Sequence, residues 1–208
     1  MLPLTTDRAR AFADHLAGLH RATIVAPTDP AAVGARAIIA ALAHLSPVLD
    51  QIAADLETHL ERVSICIPTP GGSLILLSPS AVADPVRYAM TAAHECQHAA
   101  QREALGFGQV IIDYVASPEL RARAEADAYS VGLYVAYLLT GVLPTVDAAV
   151  ASLASDTYHL APDEVELGRG VLQSHVETMS QGLAPPLRVA VEALAWLRAN
   201  DAIVGRAL

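Results

Sequence analysis

The chain has 208 residues, 53% of them apolar, with 13 basic residues that are all Arg and a net charge of −9. That length supports one domain with a large shared core. The acidic balance, with no basic tract to neutralise phosphates, argues against nucleic acid as a partner. No segment reaches the roughly 18 to 20 apolar residues that a bilayer span requires, so no membrane partner is expected.

Thr5 or Thr6 with Asp7 starts a helix through about His20, with Phe12, Leu16 and Leu19 as its apolar stripe. Pro27–Pro30 breaks the chain. A second helix runs from about Ala31 to Leu45, with Val33, Ala37, Ile38, Ala41 and Leu45 at helical spacing. Ser46-Pro47 opens a third, where Val48, Ile52, Leu56 and Leu60 repeat every four residues. His15, His20, His44 and His59 fall on these helices without acidic or His partners at ligand spacing, which reads as structural or exposed.

At Arg62 the pattern changes. Val63–Ile67 and Leu74–Leu77 are short β-type runs around Pro68-Thr69-Pro70-Gly71-Gly72-Ser73, a hairpin with a glycine-containing turn. Asp84 as N-cap and Pro85 at the first position open a helix that should stop at Gly106. Gly106-Phe107-Gly108 reads as a flexible connector, and Val110–Val115 as a third strand or a first helical turn. Ser117-Pro118 opens a further helix ending at Gly141, so that Val131 to Leu143 becomes a buried helix end. About three helical segments follow Pro144, the last with Leu187, Val191, Leu194 and Leu197 as its stripe and Trp196 beside it. The fold class is therefore α+β and predominantly helical. One domain is expected over 1–208, with a helical N-terminal region (1–61), a central core (62–141) and a helical C-terminal region (142–208).

Within the Asp84–Gly106 helix lies His94-Glu95-Cys96-Gln97-His98. On a helix, residues at i and i+4 share a face, so His94 and His98 can close on one metal ion. Glu95 sits about 100° further round, within reach of a water at that ion. With 8 His and 10 Glu in the chain, chance would supply this pattern about 0.015 times, so its surroundings must carry weight too.

Catalytic zinc takes three protein ligands and keeps one position open. The candidates are Glu125, Asp127 and Cys66, then Asp113, Glu119, His159 and His175. Glu125 has the most suitable surroundings. Ala128, Tyr129 and Gly132 share its helical face, and the small ones let that helix approach the histidines. The plainer role for Glu125 is a solvated acid paired with Arg121 four residues earlier.

His94-Glu95-Cys96-Gln97-His98 followed by Glu125-Ala126-Asp127-Ala128 resembles the gluzincin zinc metallopeptidases. The resemblance spans about residues 63–141. It implies a zincin-like core, with His94, His98 and Glu125 as zinc ligands and Glu95 as general base. It also implies a peptide or protein substrate laid along the edge strand of a small sheet, which Leu74–Leu77 would supply. Many gluzincins carry a supporting Asp at the place that is Tyr129 here. A second resemblance, to peptide deformylases, rests on His94-Glu95-Cys96 and the upstream Cys66, but the other segments of that family are absent.

The function expected is zinc-dependent peptide hydrolysis, with Tyr158, His159 and Tyr114 as candidates to stabilise the oxyanion. The alternative is a non-catalytic protein with a structural or relic metal site. Such a protein would bury the site and show no cleft along Leu74–Leu77. The N-terminus lacks a basic and then apolar leader, and Cys66 and Cys96 make no disulfide framework, so a cytoplasmic location is expected.

Overall fold

The computed structural model describes residues 4–25, 29–42, 46, 47, 50, 51, 53, 54, 64–200 and 202. The predicted helix over Val48–Leu60, with His44 and His59, falls largely outside them. The described chain is mostly helical with a three-stranded sheet. No helix among the described residues is long and apolar enough to cross a membrane.

The first helix, α1 (Thr6–Leu19), is capped by the Thr5 hydroxyl, which accepts from the Arg8 amide. Phe12 and Leu16 are buried as their spacing predicts, whereas Leu19 is exposed. A tight corner at His20-Arg21 leads into β1 (Ala22–Val25), a strand that the local sequence pattern does not predict. Next comes α2 (Pro30–Leu42), which buries Ala32 and exposes Val33 and Ala37, while Ile38, Ala41 and Leu45 of the expected stripe lie outside the described side chains.

Strands β2 (Ile65–Pro68) and β3 (Ser73–Leu76) form the predicted hairpin, paired antiparallel from Ile65 opposite Leu76 to Pro68 opposite Ser73. On its other side β3 pairs in parallel with β1, Ala22 opposite Ser73 and Val25 opposite Leu76. The sheet order is thus β1-β3-β2, and β3 is central. This corrects the expectation that Leu74–Leu77 is an edge. The edge facing away from β1 is β2. Gly72 makes the third strand possible: a Cβ there would lie 2.1 Å from the Arg21 carbonyl, which accepts from the Ser73 amide.

The short α3 (Pro79–Val82) leads to α4 (Pro85–Leu105), which carries the histidines. The expected flexible connector is instead the start of α5 (Phe107–Ala116), which also settles Val110–Val115 as helix. Its residues are apolar at positions 107, 110, 111, 112 and 115, yet none is fully buried. It is followed by α6 (Pro118–Thr140), α7 (Asp147–Leu153), a 3₁₀ turn at Asp156–Tyr158, α8 (Pro162–Ser180) and α9 (Arg188–Ala199). In α9 Leu197 is buried with Val189, Ala190 and Ala193, Leu187 and Leu194 pack against the core as expected, and Val191 alone of the predicted stripe is exposed.

The main core joins α1, α4, α6 and α9 to the Ile75 face of the sheet. Ala9, Ala13, Ala89, Ala92, Ala93, Ala190 and Ala193 are fully buried in it. Small side chains bring these helix backbones close together and set α4 firmly between the sheet and α6.

Candidate metal centre

Two well-capped helices build the site. The Asp84 carboxylate accepts from the Arg87 amide at 2.8 Å, Pro85 occupies the first turn, and Gly106 (φ 85°) ends α4. The Ser117 hydroxyl caps α6 on the Leu120 amide, Pro118 follows, and Gly141 (φ 73°) ends it in the left-handed region. The helices meet at Gly132. A Cβ there would stand 3.1 Å from the Met90 carbonyl and 3.8 Å from the His94 Cβ. Glu125, two turns before Gly132 on the same face, is thereby carried to the histidines.

His94 Nε2 lies 3.7 Å from Glu125 Oε2, and His98 Nε2 lies 3.5 Å from Glu125 Oε1. One ligand atom from each of the three falls within 4.8 Å of the others. This is the one such group among the described residues, and Asp127, Cys66, Asp113, Glu119, His159 and His175 stand outside it. His175 faces the Ser130 hydroxyl, Glu119 pairs with Arg123, and Cys66 sits beside Glu95 and Ser73. The plainer role for Glu125 does not occur. Its side chain is 4% exposed, and Arg121 turns away to three backbone carbonyls.

Both histidines keep Nε2 directed at Glu125. For His98 the reason is Gln101, whose Oε1 lies 2.9 Å from Nδ1 and whose Nε2 donates to the Ala124 carbonyl at 3.0 Å. Since that amide oxygen can only accept, Nδ1 carries a proton. Sequence reasoning missed Gln101, though its place three residues after His98 on the same face is a usable signal. The His94 ring packs edge-on against Tyr129 at 4.6 Å and against His98 at 5.0 Å.

Glu125 Oε2 is buried without a hydrogen-bond partner, while Tyr114 donates to Oε1 at 2.7 Å. A buried carboxylate oxygen left unmatched is costly and asks for a cation. Together with two imidazole nitrogens, it makes a donor set that could hold a metal ion.

Charge follows this arrangement. Burial and the neighbouring His98 hold His94 down at about 3, so it is neutral. Burial also works against a charged His98, but Glu125 and Glu95 beside it outweigh that and raise it to about 9. Burial likewise opposes ionisation of Glu125, yet His98, then His94 and the Tyr114 hydroxyl, bring it to about 2. Without metal the cluster therefore holds one extra proton, on His98, against a Glu125 carboxylate.

Glu95 is buried on the side of α4 that faces β2, where the Cys66 backbone hydrogen-bonds its carboxylate. Burial, with the Glu125 charge added, pushes it up to about 8, a value suited to exchanging protons near neutrality. Of the candidate oxyanion groups, Tyr158 bonds the Tyr129 hydroxyl at 3.1 Å and Tyr114 is engaged with Glu125, while His159 is exposed.

No family model matches this chain, and neither a curated protein nor a solved structure matches it. What the site can do is read from its own residues.

Proposed function

We propose that this protein is a zinc-dependent hydrolase with a zincin-like core, most simply a peptidase of gluzincin type. The observation that carries the reading is the convergence of two imidazole Nε2 atoms and an unmatched, buried carboxylate oxygen beside a second buried carboxyl group. His94, His98 and Glu125 would hold the ion. Bound there, zinc supplies a Lewis acid that polarises a carbonyl and lowers the pKa of water.

The chain's own contribution is proton transfer and orientation. Glu95 takes a proton from the attacking water and returns it to the leaving amine, and its near-neutral affinity for protons allows both directions. Gln101 keeps the His98 lone pair on Nε2. The substrate-binding strand of the resemblance is assigned to β2, an edge of the described sheet whose Cys66 backbone already meets Glu95. A peptide or protein segment in extended form is the substrate class.

Glu95→Gln should keep one zinc per chain and lower cleavage of a peptide library by ~10²- to 10⁴-fold, as removal of a general base does. Retained cleavage would exclude Glu95 as the base. A second reading, a metal held for structure alone, is favoured by the burial of Glu95 and Glu125 and by the enclosure of Leu74–Leu76 within the sheet. Under that reading no cleavage occurs in the wild type, and removing the metal unfolds the chain.

A further inference from the structure

Tyr129, on the helical face of Glu125, gives that carboxylate no hydrogen bond. Its ring lies on His94 and its hydroxyl meets Tyr158. The Glu125 carboxylate is held from another helix. Tyr114, in the last turn of α5, donates to Glu125 Oε1 at 2.7 Å, and Oε2 is left without a partner, 3.7 Å from His94 Nε2. The two oxygens of one carboxylate are thus unequal: Oε1 accepts from the phenol and faces His98 Nε2 at 3.5 Å, while Oε2 accepts no hydrogen bond.

Tyr114 is itself fixed. Arg121, one turn before Glu125 on α6, is 2% exposed and is the largest fully buried side chain among the described residues. Its Nη1 donates to the Tyr114 carbonyl at 2.5 Å, and its guanidinium carbon stands 5.9 Å from the centre of the Tyr114 ring. Its Nε donates to the Tyr158 carbonyl at 2.8 Å and Nη2 to the His159 carbonyl at 3.3 Å. His159 adopts φ 47°, a strained value for a residue with a side chain. No ion pair joins Arg121 to an acid within 4 Å among the described residues. Burying a guanidinium on carbonyls alone is expensive, and the segments it ties are the two that carry Tyr114 and Tyr158.

We propose that Tyr114 is the positioning residue of the third ligand. Its hydroxyl retains Oε1 and presents Oε2 as the atom Glu125 offers to a cation, while Arg121 anchors Tyr114 in that place. This rests on the metal-site reading above. It assigns to a phenol and an arginine the orientation of the Glu125 carboxylate.

The test uses full-length wild type and Tyr114→Phe, which deletes one hydroxyl and keeps the ring. Zinc affinity is measured by competition with a chromophoric chelator, and the Co²⁺-substituted proteins are compared by visible absorption. The expected result is ~10- to 100-fold weaker zinc at unchanged one-to-one stoichiometry, the range for outer partners of metal ligands. A shifted Co²⁺ band pattern should accompany it, with the circular dichroism of the metal-free protein unchanged. Arg121→Lys keeps the charge but loses the fork, and should move affinity and spectrum in the same direction. Equal zinc affinity and an unchanged Co²⁺ spectrum in both variants would overturn the assignment of Tyr114 alone. A wild type that takes up neither ion would overturn the metal-site reading and this assignment together.

Discussion

Two places along α4 bury histidine against carboxylate, and they differ in what they leave over. At His94 and His98, two rings aim Nε2 at one carboxylate, and one of its oxygens has no partner. Five residues beyond His98 on the same helix, Glu103 meets His20, which is fully buried between two carboxylates with Nδ1 3.2 Å from Glu103 and Nε2 2.7 Å from Glu192. Both ring nitrogens of His20 are occupied from opposite sides, and Arg188 completes the arrangement on Glu103 and Glu192. The lesson is that burial with acids does not make a metal site. Convergence of lone pairs beside an unmatched acceptor is what favours the metal site proposed at His94 and His98, whereas the His20 cluster serves as a pin joining α1, α4 and α9.

That comparison can be broken most sharply by deleting one histidine from each cluster. His94→Ala should weaken zinc binding by on the order of 10³-fold or more, since one of three protein ligands is lost. His20→Ala should leave zinc affinity within about twofold and instead lower stability by ~2 kcal/mol, because two partly buried carboxylates lose their buried partner and keep only the exposed Arg188. Titration of both variants with zinc, followed by thermal unfolding, separates the outcomes. Loss of zinc in His20→Ala would erase the distinction.

The next largest effect is on pH. In the metal-free protein His98 is raised to about 9, so at pH 7 its proton must leave before Nε2 can ligate. Zinc affinity should therefore rise about tenfold per pH unit between pH 7 and about 9 and flatten above. The same raised value sets the sign for the metal-free fold. The His98–Glu125 pair contributes stability that is full below the ordinary histidine value of 6.5 and is lost as pH rises through about 9. Proton release on binding, measured by calorimetry in buffers of different ionisation enthalpy, checks this. A binding constant flat from pH 7 to 9 would contradict it.

A third test acts on the pin through its backbone. Gly72→Ala forces a methyl group against the Arg21 carbonyl, next to His20, and should cost ~2–3 kcal/mol while zinc affinity stays unchanged. The smallest effect belongs to Arg188→Ala. Arg188 is 61% exposed, so losing its two ion pairs should change stability by less than ~1 kcal/mol in a urea titration.

Much of this is legible in the sequence where local chemistry decides the outcome. Asp84-Pro85, Ser117-Pro118, Gly106 and Gly141 mark the ends of α4 and α6 because caps and glycine act within one turn. The small face at Ala128 and Gly132 signals the close approach that carries Glu125 to His94. What escapes is non-local. The pairing of β1 with β3 depends on Gly72 meeting Arg21 from 51 positions away, and it moves Leu74–Leu77 from edge to centre. His20 carries no sign in the sequence of Glu103 and Glu192, which reach it from α4 and α9. In α9 the alanines Ala190 and Ala193 fill the core beside Leu197, which leaves Val191 of the predicted stripe exposed.

The central claim is that His94, His98 and Glu125 form one metal site served by Glu95. Its most direct test is metal analysis of tag-free wild type, His98→Ala and Glu95→Gln after zinc loading and gel filtration. The account predicts one zinc per chain in the wild type and in Glu95→Gln, and none in His98→Ala. A full equivalent of zinc retained by His98→Ala would contradict it.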